Sequence, residues 1–338
     1  YNQQKAIDYK STFIEGHRDC NNYMLNIFHD WQAQGITSVL HEESGGYANN
    51  KKSLQGLAAK AEFEGVRIIS GVTVTGFSRD NHGTIKSVET DVGDIHCDYV
   101  VVAPGPWAKQ MWDMLEMPDT ISIKNPDTGI ISQDIPMWVY WSLQEGTLGV
   151  DPKLQQTNDG KMPPVIHVDT DEPLYSDADG SLITDKMWGI YYKPDFNFGG
   201  IQGGAAPFIV DKKADSVAVD PYGPESPEFI VGNDFSTMWV SALAHCQKRF
   251  SGTMAQYKNE PSGGIGAFTP DSFPVFDVFH DNCYMIADSN HGYKMIGVGK
   301  LVAEDICGQS SSLLQPFRFS RYIQGRLHPV SNSPFPWS

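Results

Sequence analysis

Positive charge is scarce in this chain: 25 Lys and Arg stand against 41 Asp and Glu, a formal net charge of -16 at pH 7. A surface of that sign repels phosphate backbones and anionic headgroups, so nucleic acid and anionic membranes are excluded as expected partners. Long apolar runs are missing too, so no bilayer-spanning segment is expected, and no signal-peptide pattern opens the chain. Cysteine is sparse, with Cys20, Cys97, Cys246, Cys283 and Cys307 scattered, odd in number and without CxxC spacing. That pattern argues against zinc ligands and disulfides and predicts free thiols in a reducing compartment, the cytoplasm. No Ser/His/Asp triad or metal-ligand spacing is legible, and His245 and Cys246, adjacent on one predicted helix, cannot face one metal. The GxxxxGK[ST] order of a phosphate-cradling loop is absent from the glycine-rich stretch 196–204. There is no internal repeat and no low-complexity segment. The chain opens YNQQKAIDYK without a Met, and its start is expected to be a processed or truncated end.

What the 338 residues do hold is 40% hydrophobic and 12% aromatic side chains, including 8 Trp. That suits a large core, two lobes and large apolar pockets. The apolar spacing of Tyr23, Leu25, Ile27, Phe28 and Trp31 predicts a helix before Gly35. Ser53 is positioned to cap a second helix through Leu54, Leu57, Ala58, Ala61 and Phe63, which Gly65 ends before a strand over 66–69. Three strands over 72–78, 84–90 and 94–97 follow, joined by the turns Asn81-His82-Gly83 and Val92-Gly93-Asp94. The continuous run 98–103 predicts a strand buried on both faces, which enters Pro104-Gly105-Pro106-Trp107 and a helix over 108–115. Such a strand carries its carboxyl end to the ligand crevice of an open α/β sheet.

Between 118 and 260 Pro, Gly and Asp become frequent, and strands are predicted over 137–143, 165–168 and 187–192. The stretch 196–204 reads as a glycine-rich bend, 221–227 as a loop and 235–250 as a helix. The stretch 261–275 returns the chain to the first lobe. A strand over 284–287 then runs through the turn 288–292 into a helix carrying Met295, Val298, Val302 and Ile306. A short helix over 317–322 and a proline-rich strap complete the tail. The fold class is α/β with an α+β mixture: a lobe of residues 1–117 and 261–338, and a mostly antiparallel domain of residues 118–260. A strand-turn-helix such as 283–308 presents backbone N–H groups and a positive dipole end, which suits an anionic or electron-rich ligand edge. The same residues also suit an ordinary connection in which glycine merely allows the tight turn.

Three separated segments together resemble the D-amino-acid oxidase-like (DAO) FAD-dependent oxidoreductases, in the branch of sarcosine oxidase and fructosyl-amine oxidases. The first comprises Glu43-Ser44-Gly45-Gly46-Tyr47, Gly65-Val66-Arg67-Ile68 and Val72-Thr73-Val74, through to Val100-Val101-Val102-Ala103-Pro104-Gly105-Pro106-Trp107. Thr269-Pro270-Asp271-Ser272-Phe273-Pro274-Val275 is the second, and Ser289-Asn290-His291-Gly292-Tyr293-Lys294 the third. The similarity spans roughly 43–317, with the middle domain matching in outline only.

The resemblance implies a Rossmann-like FAD lobe and a β substrate domain. It implies that backbone near Val74 meets the adenine, that Ala103, Pro104, Gly105 and Trp107 lie beside the cofactor, and that Asn290, His291, Gly292, Tyr293 and Lys294 lie against the flavin ring. Lys294 would stand near flavin N1, where a reduced ring carries negative charge. The family's GxGxxG fingerprint is absent from this sequence, which leaves the lobe incomplete at its N-terminus. Loss of that segment, supply by a further polypeptide, or altered FAD binding would each account for it.

Gly264-Ile265-Gly266-Ala267-Phe268 occupies the stretch where many amino-acid oxidases carry a carboxylate-clamping arginine. The branch's covalent-flavin cysteine would also fall near Gly264, so non-covalent FAD is expected. Its oxygen-activating lysine aligns near Gln202, which leaves oxidase and dehydrogenase both open. On the substrate side Tyr191, with Tyr192 and His167, is a candidate on a predicted strand. The expected reaction is oxidation of the C–N bond of a secondary or primary, N-alkyl amino acid-like amine to an imine, by hydride transfer to flavin N5, with a small-molecule amine as partner. Lys294 and Tyr191 are the catalytic candidates. The alternatives are a non-catalytic scaffold subunit of this fold, or a same-fold enzyme that oxidises a C–OH bond.

Overall fold

Turn chemistry and β-branched runs divide the chain into short elements, described in a computed structural model over residues 10–43, 49–162, 165–205, 208–210, 212–219, 231–259, 263–287 and 295–328. The first strands are Ser11–Glu15 (β1), Ile36–Glu42 (β2), Val74–Arg79 (β3), Ile85–Thr90 (β4), Ile95–His96 (β5) and Val100–Val102 (β6). The middle supplies Thr120–Lys124 (β7), Ile131–Pro136 (β8), Val139–Leu148 (β9), Val165–Thr170 (β10), Leu174–Tyr175 (β11) and Leu182–Thr184 (β12). Trp188–Asp195 (β13), Gly200–Ala205 (β14) and Phe208–Ile209 (β15) follow. Tyr257–Lys258 (β16), Gly263–Phe268 (β17), Val275–Phe279 (β18) and Cys283–Ala287 (β19) close the set. The helices are His17–Ile27 (α1), Asn50–Phe63 (α2), Ala108–Met114 (α3), Asn233–Cys246 (α4), Met295–Ile306 (α5) and Arg321–Gln324 (α6).

The largest layer is a nine-stranded sheet with the order β1-β2-β10-β13-β14-β9-β15, to which β16 and β17 add by pairing with β9. Its pairings are antiparallel, and period-two alternation sends successive side chains to opposite faces. One face carries Val39, Ile166, Val168, Ile190, Tyr192, Ile201 and Leu148 into a core with Met24 and Phe28 of α1 and Phe235, Trp239 and Leu243 of α4. A second core gathers Phe77, Ile85, Val102, Trp112, Trp138, Ile265, Met285 and Tyr322, which ties β4, β6 and β19 to the β9–β17 end of the large sheet. A small mixed sheet, β18-β19-β6, antiparallel between β18 and β19 and parallel between β19 and β6, carries α5 over β19 through Phe276, Tyr284 and Val302.

Asn282 holds these parts in register. Its amide oxygen accepts from the Ile85 N–H at 3.0 Å, and its amide nitrogen donates to Ile85 O at 2.8 Å and Asp98 O at 3.0 Å. The side chain thus behaves as an extra peptide unit between β4 and the start of β6. Asn282→Ala, which strands a buried N–H and two carbonyls, is expected to lower unfolding free energy by about 2 kcal/mol, read from a urea transition.

Several sequence expectations are corrected. The helix expected to reach Trp31 ends at Ile27, because Phe28 turns to extended backbone, φ -136° and ψ 112°. Asn49, not Ser53, caps α2, accepting from the Lys52 N–H at 3.0 Å. Residues 66–69 are not a strand, and Val66, Ile68 and Ile69 stand exposed. The strand around 100–102 is buried on one face only, with Val101 46% exposed. Within the expected bend, Gly200–Ala205 is a strand between β13 and β9, and only 196–199 turn. The chain over 261–275 does not simply leave the middle: β17 pairs with β9 over six registers. The large sheet also takes β1 and β2, so it crosses the expected divides at 117/118 and 260/261. The helix expected over 235–250 ends at Cys246, with Lys248–Phe250 as a 3-10 turn, and Gln315–Phe317 is likewise 3-10. The loop 221–227 and the tail beyond 328 lie outside the described residues.

Candidate functional site

The alternation that buries Tyr192 places Tyr191 on the other face of the large sheet. Tyr192 is fully buried and donates to Gln247 Oε1 at 2.8 Å, so it belongs to the core and not to a site. Around Tyr191 the registers align Leu40, His167, Tyr191, Gly204 and Glu145 on five neighbouring strands. The Tyr191 hydroxyl donates to Glu145 Oε1 across Gly204. The His167 and Tyr191 ring centroids are 5.6 Å apart, and His167 Nε2 stands 3.5 Å from Glu42 Oε2. A polar row thus crosses the sheet with a carboxylate at each end. Burial first, then the Glu145 charge and hydrogen bond, push the Tyr191 hydroxyl pKa well above the usual phenol range, so it stays protonated at neutral pH.

Beside this row, Lys193 lies opposite Gln202 on β14, and its ammonium donates to Gln202 Oε1 and to Asp195 Oδ2 at 3.2 Å. Burial lowers the Lys193 pKa, and Asp195 and Glu145 oppose the shift. The sequence position expected to carry a lysine holds Gln202, and the neighbouring strand brings one to it. Sequence reasoning missed Glu145, Glu42 and Lys193. Their signal is the period-two pattern of β2, β9 and β13, which identifies a polar face only once the strand order is known.

The cofactor candidates gather elsewhere. β6 and β19 pair in parallel, with Met285 opposite Val102, so their carboxyl ends lie side by side. From β6 the chain passes through exposed Ala103 and half-buried Pro104 into a 3-10 turn at Gly105–Trp107 and then α3. Gly105 has φ 58°, a left-handed conformation that favours glycine, and a Cβ there would meet nothing within 4 Å. Two adjacent parallel strands that both lead into helices leave a crevice at their carboxyl ends, the place where open α/β sheets bind nucleotides. Val74, partly buried, packs against the core cluster that also holds Val102 and Ala108. These residues fit one side of a dinucleotide site: a backbone turn with open space and flanking apolar walls. Asn290, His291, Gly292, Tyr293 and Lys294 lie outside the described residues.

Thr269-Pro270-Asp271 turns out to be structural. The Asp271 side chain, 4% exposed, takes a two-pronged salt bridge from Arg321, at 2.7 Å for each prong. Among the described residues no group of three or more His, Cys, Asp or Glu could hold a metal ion, and no helix is long and apolar enough to cross a membrane. His245 instead meets Glu172 at 2.6 Å.

Residues 19–131, about a third of the chain, match the family model described as "DAO: FAD dependent oxidoreductase". The bifunctional protein ThiO/ThiG of Synechocystis sp. is 38% identical over 66 residues, which are 20% of this chain and 10% of that protein. This chain therefore aligns with only a small part of that curated relative's length. L-proline dehydrogenase from P. horikoshii superposes with a TM-score of 0.59 at 18% identity, over 96% of this chain and 72% of that one. Glycine oxidase from Geobacillus kaustophilus gives 0.57 at 14% identity, over 95% and 70%. Fructosyl peptide oxidase from E. terrenum gives 0.53 at 17% identity, over 91% and 64%. At such identities the likeness is one of fold. FAD is the cofactor of the matched family. Residues 19–131 thus match the model of the DAO family of FAD dependent oxidoreductases, and the mixed α/β fold is shared over nine-tenths of the chain with the dehydrogenase and oxidases named above.

Proposed function

We propose that this protein binds FAD non-covalently and oxidises the C–N bond of a small secondary or primary amine to an imine. The observation that carries the reading is the pair of parallel carboxyl ends at Val102 and Ala287, the first of them within the region 19–131 that matches an FAD-dependent family. When bound, FAD supplies the two-electron acceptor. The backbone at Ala103, Pro104 and Gly105, with Trp107 and Val74 as apolar neighbours, would hold it, and Asn290 to Lys294 are assigned to its ring edge with Lys294 as the local positive charge. Tyr191 orients the substrate nitrogen, and an ammonium bound beside it passes one N–H proton to Glu145, which meets the Tyr191 hydroxyl, before its α-carbon can be oxidised.

A further polypeptide segment, in this chain or another, is proposed to complete the nucleotide site. Three features support it. β6 is an edge strand among the described residues, Val101 on its middle is 46% exposed, and α2 buries none of its residues while Leu54, Leu57 and Phe63 face solvent. A parallel strand is ordinarily covered on both faces, so an open apolar edge of this kind suits another strand and helix.

The purified chain incubated with FAD and desalted is expected to keep a visible flavin band that denaturation releases, as befits a non-covalent cofactor. A chain of verified length without that band would return the protein to the scaffold reading. With flavin loaded, matched amine and alcohol substrates and a dye acceptor separate C–N from C–OH oxidation. Tyr191→Phe is expected to lower kcat/KM for the amine about tenfold.

A further inference from the structure

Resting on the amine reading above, we infer that Tyr191 and Glu145 form a cation-recognition pair, in which Glu145 makes the site take an ammonium and reject a carboxylate. Tyr191, Gly204 and Glu145 stand directly opposite one another on three adjacent strands. Two strand spacings are about 10 Å, a gap that a tyrosine ring spans only if the residue between has no side chain. Gly204 meets that need: a Cβ there would lie 2.8 Å from Tyr191 Cε1 and 2.9 Å from Cζ. The ring lies across the glycine, and its hydroxyl donates to Glu145 Oε1.

That donation decides what the phenol can recognise. A hydroxyl has one proton and two lone pairs, so once the proton points at Glu145 the oxygen meets any other group as an acceptor. Glu145 is an acceptor as well, and the two form a double acceptor edge matched to the N–H groups of an ammonium. A carboxylate at the same place would find no proton to accept and a like charge opposing it.

The rest of the face agrees. His167 lies tilted beside Tyr191, its Nε2 3.5 Å from Glu42, a second carboxylate. Lys193, a cation on this face, donates to buried Asp195 and to Gln202, and it also lies within reach of the Glu145 charge, which an incoming ammonium would share with it. β17, Gly263–Phe268, carries no cationic side chain. The substrate class is therefore an amine whose cationic nitrogen is read directly, with no carboxylate required beside it.

The test uses tert-butylammonium and pivalate, probes of similar shape and opposite charge whose tertiary carbon has no hydrogen to lose. Their Kd values are measured by titration calorimetry on the flavin-loaded full chain. Wild type is expected to bind tert-butylammonium at least tenfold more tightly than pivalate. Glu145→Gln is expected to weaken the ammonium by about tenfold and to strengthen pivalate. Equal affinity for the two probes in wild type, or a Glu145→Gln chain that loses both in proportion as a merely structural residue would cause, overturns the pair. Should Glu145→Gln fail to fold by circular dichroism, Glu145→Asp serves. It keeps the charge but withdraws it by one methylene, so the preference is expected to keep its sign while ammonium binding weakens, and unchanged ammonium binding overturns the proposal. A chain without a flavin band defeats the oxidoreductase reading instead, so the two failures are distinguishable.

Discussion

Replacing Arg321 with Met is expected to destabilise the protein by about 3–5 kcal/mol, seen as a large fall in the urea midpoint. Arg321 is 2% exposed, and its guanidinium bonds both Asp271 oxygens at 2.7 Å. It also donates to Pro274 O and Phe317 O at 3.0 Å, to Phe273 O at 2.8 Å and to Tyr322 Oη at 2.7 Å. Methionine fills much of the space but leaves a buried carboxylate and three carbonyls without donors, and that uncompensated charge dominates the cost. The double variant Arg321→Met, Asp271→Leu is expected to recover part of the loss, because no lone charge remains. If the single variant unfolds within 1 kcal/mol of wild type, the ion pair is not what joins α6 to the turn after β17.

The same pair sets an acid limit. Burial alone would raise the Asp271 carboxyl, but the Arg321 bonds and charge, with Thr269, outweigh it and hold the pKa below the ordinary carboxylate range. A depressed folded pKa means that the contribution is complete above the unfolded value of about 4 and is lost as pH falls through the folded value. Stability measured from pH 6 downward is therefore expected to fall more steeply in wild type than in Asp271→Asn, which has no carboxyl to protonate there.

Trp112→Ala is the second large effect, at about 3–5 kcal/mol. Trp112 is fully buried and packs edge-on against Trp138 at 5.7 Å and Phe279 at 5.4 Å, with Phe319 at 5.7 Å. It thus joins α3, β18, the tail and the segment entering β9, and its indole N–H donates to Pro118 O at 2.8 Å. Truncation opens a cavity among rigid aromatic neighbours that cannot close over it. Trp112→Phe keeps a ring but loses the donor, and about 1–3 kcal/mol is expected. Thermal melting of both variants ranks them, and equal losses would mean that the ring's packing contributes nothing beyond the hydrogen bond. The strand end that bears Ala103 and Gly105 rests on α3, so a loosened Trp112 should also weaken FAD retention.

Much of the architecture was legible because it is written in local chemistry. Asn81-His82-Gly83 makes the β3–β4 hairpin, with Gly83 at φ 85°. Valines over 100–102 make a strand, and period 3.6 marks α4 and α5. Val66, Ile68 and Ile69 have the residues of a strand and do not form one here, because a strand exists only through a paired neighbour and none is described beside them. The glycines of 200–204 read as a bend for the opposite reason. Their lack of side chains serves close packing of strands, since a Cβ at Gly203 would lie 1.9 Å from Tyr191 O and one at Gly200 2.1 Å from Leu148 O.

By itself the sequence determined the charge, the segments that resemble a flavin-binding family, and the identity of Tyr191 and His167 as polar residues on strands. Only the tertiary structure decided that Tyr191 and Tyr192 part company, one toward Glu145 and the other into the core. Alternation fixes that neighbours on a strand diverge, but not which of them faces a site. That choice depends on which side of the sheet α1 and α4 cover, and on a register that sets Glu145 opposite a residue 59 positions later in the chain and that one opposite Tyr191. Pairings of such separation leave no trace in local composition, so the polar row became visible only when the strands were placed side by side.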